Sequence, residues 1–446
     1  MRILIENATI VTMDSQWNVY QKGYVLTEGN MILKVGEGEF DTSPGADEEV
    51  LTDSRIDGQG GIVIPGFVNT HCHVSMVPFR SLGDDCPDRL RRFLFPLEDE
   101  AMTKRLVYLG ARYGICEMLL AGVTTFADMY YFEEEVAKAC EELGIRGILG
   151  QTVIGQPVCD SKEPYGGLQL AENFIRRWKG SELVRPMIAP HGTNTNSKKA
   201  LKAAFAIAEK YDTLFTLHAS EMDYEMTYFR ETFNQTPIEF LNDCGLLSSR
   251  TLAAHCINLT EGDMELLKKS GTTVSHCIGS NTKAGKGVAP VKEMTSHQIP
   301  VGLGTDGPSS GNTLDLFTQL RLFASFHKTV NHDRALFSAD KVAAFGITGG
   351  AKALHMEAEI GSLEPGKKAD IVLLETKSVN MFPCYNPYSA LVYSANASNV
   401  DTVLVNGQIL VRDKRLVCAD LSKIREELDQ EMGKFKQSAI KYADIV

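Results

Sequence analysis

Apolar and polar positions alternate with period two near both ends of the chain and follow a different rhythm between them. "RILIENATIV" (2–11) and "GYVLTEGNMILKVG" (23–36) read as short strands, with Glu28-Gly29-Asn30 as the turn inside the second stretch. "KKADIVLLET" (367–376) and "VDTVLVNGQILVRDKRLV" (400–417) repeat the pattern at the far end, and Asn406-Gly407 suits a type I′ hairpin turn. Two β-patterned ends predict one small β-sandwich domain built from residues 1–60 and 366–446, the second part closing in a terminal helix.

Between them, eight apolar runs end in polar or glycine-rich stretches and alternate with helical patterns. They are "GIVIPGFVNTH", "GVTTFADM", "GIRGILGQTV", "VRPMIAPH", "TLFTLHASE", "TLAAHCIN", "TTVSHCIG" and "IPVGLGTD". Strands alternating with helices pair in parallel, so residues 61–365 are predicted to close into an α/β domain, a (β/α)8 TIM-like barrel. After "AAHCIN", Thr260 with Asp263 three residues on marks a helix start, and Gly271 marks its stop. Barrels of this kind carry their chemistry at the C-terminal ends of the strands.

Six of the ten histidines stand at those ends: His71, His73, His191, His218, His255 and His276. His71 and His73 are two apart on one strand and so share a face. With His218 and with Asp306 at the end of the eighth run they make three imidazoles and one carboxylate, a set that suits zinc first, with Fe2+ or Mn2+ as alternatives. Such a set leaves a coordination position for water. The fourth run ends without lysine, which points to one divalent metal ion rather than a bridged pair. Glu221, three residues past His218, is a candidate proton shuttle, the bland alternative being an exposed loop acid beside Asp223 and Glu225.

Composition narrows the function classes. Lys+Arg 45 against Asp+Glu 57 gives a net charge of −12, which argues against nucleic acid as a partner. No apolar run approaches the roughly 18 to 20 residues of a membrane span. "MRILIENATIVTMD" reads as a mature strand rather than a leader. Ten scattered cysteines without C-x-x-C fit reduced thiols in a cytoplasm.

One motif points elsewhere. "GLGTDG" (302–307) matches the dinucleotide-binding pattern G-x-G-x-x-G, which would make the chain an oxidoreductase. That fingerprint has to open a βαβ unit with an acid about 20 residues on. Here "RLFASFHKTV" occupies that window, and Asp306 inside the match has a competing use as a metal ligand. A cytidine-deaminase type of zinc site needs P-C-x-x-C, and "PCYNP" has no second cysteine.

These residues carry a resemblance. "PGFVNTHCH", "TTFADMYYFEE", "PHGTNTNS", "LHASE", "AAHCINLT", "SHCIGSNTKAGKGVAPV", "LGTDGPSSGNTLDLF", "IGSLEPGKKADIVLLE" and "VNGQIL" resemble the metal-dependent amidohydrolase superfamily. Within it they are similar to the branch of 5-methylthioadenosine/S-adenosylhomocysteine deaminases and triazine hydrolases. The resemblance implies His71, His73, His218 and Asp306 as metal ligands, Glu221 and His255 as the catalytic pair, Glu98 as a grip on ribose hydroxyls and His191 as a substrate-binding residue. His276 has a counterpart of open role. Gln151, a candidate substrate-binding residue with Glu98, His191 and Glu221, stands where an arginine is expected, and "VCDSKEPYGGLQ" offers no second one. "CPDRLRRFLFPLE" is shorter than usual and lacks a tryptophan, and Cys277-Ile278 replace an Asn-Pro.

The expected reaction is hydrolytic deamination of an amino-substituted heterocycle, an adenosine-type nucleoside before a free purine, a pterin or a chlorotriazine. A water activated at the metal loses its proton to Asp306, Glu221 protonates the ring nitrogen, His255 steadies the developing oxyanion and ammonia leaves. Retention of Glu98 favours a ribose-containing substrate, whereas loss of the arginines points away from S-adenosylhomocysteine. A homo-oligomer is expected, since such barrels often form dimers or tetramers.

Overall fold

The computed structural model describes residues 1–40 and 52–443. These form two compact units, residues 1–40, 52–68, 118–125 and 315–419 in one and 69–117, 126–314 and 420–443 in the other. All eight predicted runs are strands of one sheet: β1 (Phe67–Cys72), β2 (Val123–Tyr130), β3 (Arg146–Val153), β4 (Val184–Pro190), β5 (Phe215–Ala219), β6 (Thr251–His255), β7 (Thr273–His276) and β8 (Val301–Leu303). Their order in the sheet is their order in the chain, and the registered pairs from β3 to β8 are parallel.

β2 and β3 are buried at every position, the expected state of barrel strands covered on both faces. Just past the strand ends, the Asp306 N–H donates to His71 O at 3.0 Å. Beside it the Thr305 N–H donates to Asn69 Oδ1 at 3.1 Å, and Asn69 Nδ2 donates to Thr305 Oγ1 at 2.8 Å. The first and last strands are therefore tied together at the residues that carry the candidate chemistry. Inside, the Thr70 and Ser275 hydroxyls meet at 2.6 Å.

The predicted helix after β6 runs Glu261–Ser270, with a reciprocal capping box between Thr260 and Asp263 and Gly271 at φ 74° ending it. The terminal helix, Leu421–Ala443, belongs to the same unit; its Glu427 accepts from Arg105 and Arg112, and Phe435 packs on Phe79. Among the described residues, no helix is long and apolar enough to cross a membrane.

The other unit holds a nine-stranded, mostly antiparallel sheet drawn from both ends of the chain. Ile3, Ile5, Ile10, Val25 and Val63 share one core with Ile371, Leu373 and Leu404, so the small domain expected from the two β-patterned ends is present. Burying each such side chain contributes about 1.5–3 kcal/mol. Asn406 and Gly407 have φ of 49° and 76°, the two positive values that a type I′ turn requires.

Candidate active site

At the C-terminal ends of the barrel strands, His71 lies on β1 and His73 one residue beyond it, with ring centroids 4.9 Å apart. His73 donates from Nδ1–H to Met129 O at 2.6 Å, and His218, on β5, donates from Nδ1–H to His191 O. A carbonyl accepts only from an N–H, so both rings turn an unprotonated Nε2 inward in their neutral form. His218 Nε2 stands 3.2 Å from His71 Nε2, and His73 Nε2 stands 3.2 Å from Asp306 Oδ1.

Nitrogen lone pairs and a carboxylate gathered this closely repel one another unless positive charge sits among them. Burial and the neighbouring imidazoles hold His71 and His218 well below the ordinary imidazole range, so protons are a poor source of that charge there. Burial also opposes protonation of His73, but its hydrogen bond to Asp306, the charges of Asp306 and Asp128 and its bond to Met129 O together raise it to about 9. Asp306 is opposed by burial and held well below the usual carboxylate range by His73 and the other imidazoles. The donor atoms of His71, His73 and His218 lie within 4.8 Å of one another. With Asp306 they form a set that fits a divalent cation and leaves a position for water.

The backbone around this set is bent to deliver it. Ser220, His255 and Asp306 adopt φ of 50°, 71° and 58°, left-handed values that non-glycine residues take at a cost and that gather at functional sites. Asp128, on β2, accepts from Val74 N at 2.6 Å and from Cys72 Sγ at 3.0 Å, which ties down the Val74 backbone and the Cys72 thiol on either side of His73. Gly304 leaves room for the site: a Cβ there would lie 2.9 Å from His71 Cβ and 2.7 Å from Ser275 Oγ.

His73, Glu98, His191, His218, Glu221, His255 and Asp306 line one cavity of about 510 Å³, with His71 buried beside it. Glu221 Oε1 is 3.8 Å from His255 Nε2. His255 is fixed through Nδ1, 2.8 Å from Asn281 Oδ1. Burial opposes ionisation of Glu221, yet His255, Lys286 and His218 together lower it to about 2. Glu98 behaves oppositely: burial dominates and raises it to about 7, although Tyr130 donates to it at 2.8 Å. His191 stacks edge-on to Phe95 at 5.4 Å and is lowered to about 4, chiefly by burial.

Two singled-out residues lie elsewhere. Gln151 does not reach the cavity; its amide donates to Asp160 Oδ2 at 2.7 Å and to Thr152 O, and accepts from Glu133 N. His276 is fully buried and is not a lining residue. Glu225 is buried and accepts from Ser220 N and Glu221 N, holding the loop that carries Glu221. Sequence reasoning missed Lys286, whose Nζ is 2.6 Å from Glu221 Oε1. Its visible signal was a lysine set between two glycines in "AGKGV".

The model of the amidohydrolase family matches residues 62–410. The chain is 35% identical over 434 residues to a 5-methylthioadenosine/S-adenosylhomocysteine deaminase of Caldanaerobacter subterraneus subsp. tengcongensis, covering 96% of this chain and 98% of that one. It is also 35% identical over 429 residues to a 5′-deoxyadenosine deaminase of Methanosarcina barkeri, covering 95% and 96%. An adenosine deaminase from Xanthomonas campestris, solved with bound zinc, superposes with a TM-score of 0.92 at 26% identity over 98% of both chains.

Proposed function

The chain belongs to the amidohydrolase family, and on that premise we propose that it is a metal-dependent hydrolytic deaminase of adenosine-type nucleosides. The observation that carries the reading is the meeting of two carboxylates, Glu221 and Asp306, with the histidine cluster in one cavity that also holds Glu98. Two relatives named for adenosine-derived substrates support it.

His71, His73, His218 and Asp306 are the residues that would hold the ion, zinc in first place, and such an ion supplies the charge that makes water a nucleophile near neutral pH. Deamination replaces the amino group by oxygen, so the two protons of water end on the ring nitrogen and on the departing ammonia. Asp306 and Glu221 are the two carboxylates positioned to carry them. Asp306 Oδ1 already accepts from Gly307 N at 2.7 Å and faces His73, which leaves Oδ2 to take a proton. Glu221 delivers one to the ring nitrogen, which makes the adjoining amino-bearing carbon electrophilic. His255 lies beside Glu221 with Nε2 toward the oxygen that develops there.

Glu98 and Tyr130 offer a buried hydroxyl–carboxyl pair to a ribose, and Phe95 and His191 offer ring faces. Among the described residues, the cations lining the cavity are already engaged: Arg89 donates to Leu82 O, Lys283 pairs with Asp84 at 2.8 Å and Lys286 pairs with Glu221. This pairing supports a neutral 5′ substituent in preference to an amino-acid tail. The ten thiols, all free, support a cytoplasmic setting.

The test is ammonia release from purine nucleosides, free purines and pterins, with chloride release from a chlorotriazine scored separately and metal quantified in the same sample. Ammonia from 5′-deoxyadenosine or 5-methylthioadenosine is the expected result. Release from a free base alone, or of chloride alone, would reassign the substrate.

A further inference from the structure

Lys286 sits between Gly285 and Gly287, whose φ values of 65° and 117° belong to the left-handed region that glycine adopts freely. This turn follows the short helix Ile278–Lys283 beyond β7 and sends the Lys286 side chain into the cavity, where its ammonium meets Glu221 Oε1 at 2.6 Å. Both side chains are largely buried, with 21% and 15% of their surfaces exposed. Glu221 is held from behind as well: its N–H donates to Glu225 Oε2 at 2.9 Å, and its carbonyl accepts from Asn258 Nδ2 at 3.2 Å. Oε1 thus lies between Lys286 and His255, while Oε2 has no protein partner among the described residues.

Resting on the deaminase reading above, we propose that Lys286 is a positioning residue for the reaction, clamping Oε1 of Glu221 so that Oε2 is the oxygen offered to the substrate ring. A carboxylate on a two-carbon tether swings freely unless one oxygen is fixed, and proton transfer needs the donor within hydrogen-bond reach of the ring nitrogen. The ammonium supplies that fixed point. With His255 and His218, it also favours the ionised form of Glu221. The other titratable groups facing Glu221 are His191, His218, Tyr224, Glu225, His255 and Cys277. Lys286 is the one among these neighbours with a direct hydrogen bond to its carboxylate.

The zinc-loaded Lys286→Met and Lys286→Arg proteins test this with two readouts. In nucleoside turnover, Lys286→Met should lower kcat by about 10- to 100-fold, the range for losing a group that orients a functional one. Its KM should stay near that of the unsubstituted enzyme, and Lys286→Arg should recover most of kcat. A raised KM with kcat intact, or no change in either, would overturn the clamp. The second readout is the 13C NMR titration of carboxyl-labelled glutamate in the holoprotein, with the Glu221 resonance identified by its loss in Glu221→Gln. Its protonation midpoint should lie at higher pH in Lys286→Met than with Lys286 present. Identical titrations would overturn the proposal. If the unsubstituted holoenzyme releases no ammonia from any nucleoside, the deaminase reading fails, while the NMR comparison still decides the clamp.

Discussion

Two glycine-bearing stretches deliver opposite charges to the same cavity, and their glycines are there for different reasons. In GLGTDG, Gly304 is needed for room, because any side chain would run into His71, Ser275 and Cys277; the stretch ends by presenting Asp306. In AGKGV, Gly285 is needed for conformation, because its φ is 65° and no atom lies within 4 Å of where a Cβ would be; the stretch presents Lys286. The letters of the first imitate a phosphate loop and those of the second imitate nothing. A glycine pattern becomes informative only when the physical need for each glycine is known, and here neither need is a dinucleotide.

The largest effect should come from the acidic side of this comparison. Asp306→Ala removes a metal-donor oxygen and a proton acceptor together, so metal content should collapse and turnover fall by at least about 10³-fold. Retained metal with retained activity, read by elemental analysis alongside ammonia release, would remove GLGTDG from the site. Next, Glu221→Gln should lower turnover by about 10² to 10⁴-fold with metal content unchanged. Adding Lys286→Met to it should change little more, since a clamp has no use without the carboxylate it clamps. Additive losses in that double variant would mean that Lys286 acts on its own.

The same contrast explains what could be read from the chain beforehand. The eight strands were legible because parallel strands covered on both faces write themselves as apolar runs, and six histidines fell at their ends. The helix at Glu261–Ser270 was legible because its caps are local, a matter of Thr260, Asp263 and Gly271. The Lys286–Glu221 pair was not, since it joins residues 65 apart through the exact course of two loops. The placing of Gln151 was not legible for another reason: neighbouring strand positions face opposite ways, so a shift of one residue exchanges cavity for wall, and Thr152 is the one that lines the cavity. The role of Glu225 was not legible either, because charge pattern alone does not show that a carboxylate will be buried to hold two backbone N–H groups.

Smaller effects separate the two kinds of glycine directly. Gly304→Ala forces a methyl to within 2.7 Å of Ser275 Oγ and 2.9 Å of Cys277 Sγ, so it should cost about 1–3 kcal/mol of stability in denaturant unfolding and reduce metal occupancy by displacing His71. Gly285→Ala meets no atom and pays only for holding a Cβ at positive φ, about 1 kcal/mol. Gly285→Asn should cost less than Gly285→Ala, because asparagine tolerates the left-handed region better. That ordering is diagnostic, since asparagine is the larger side chain and a lack of space would rank the two the other way. Should Gly285→Asn prove the more damaging, the Lys286 turn would be a packed element like the Asp306 turn, and the distinction between room and conformation would dissolve.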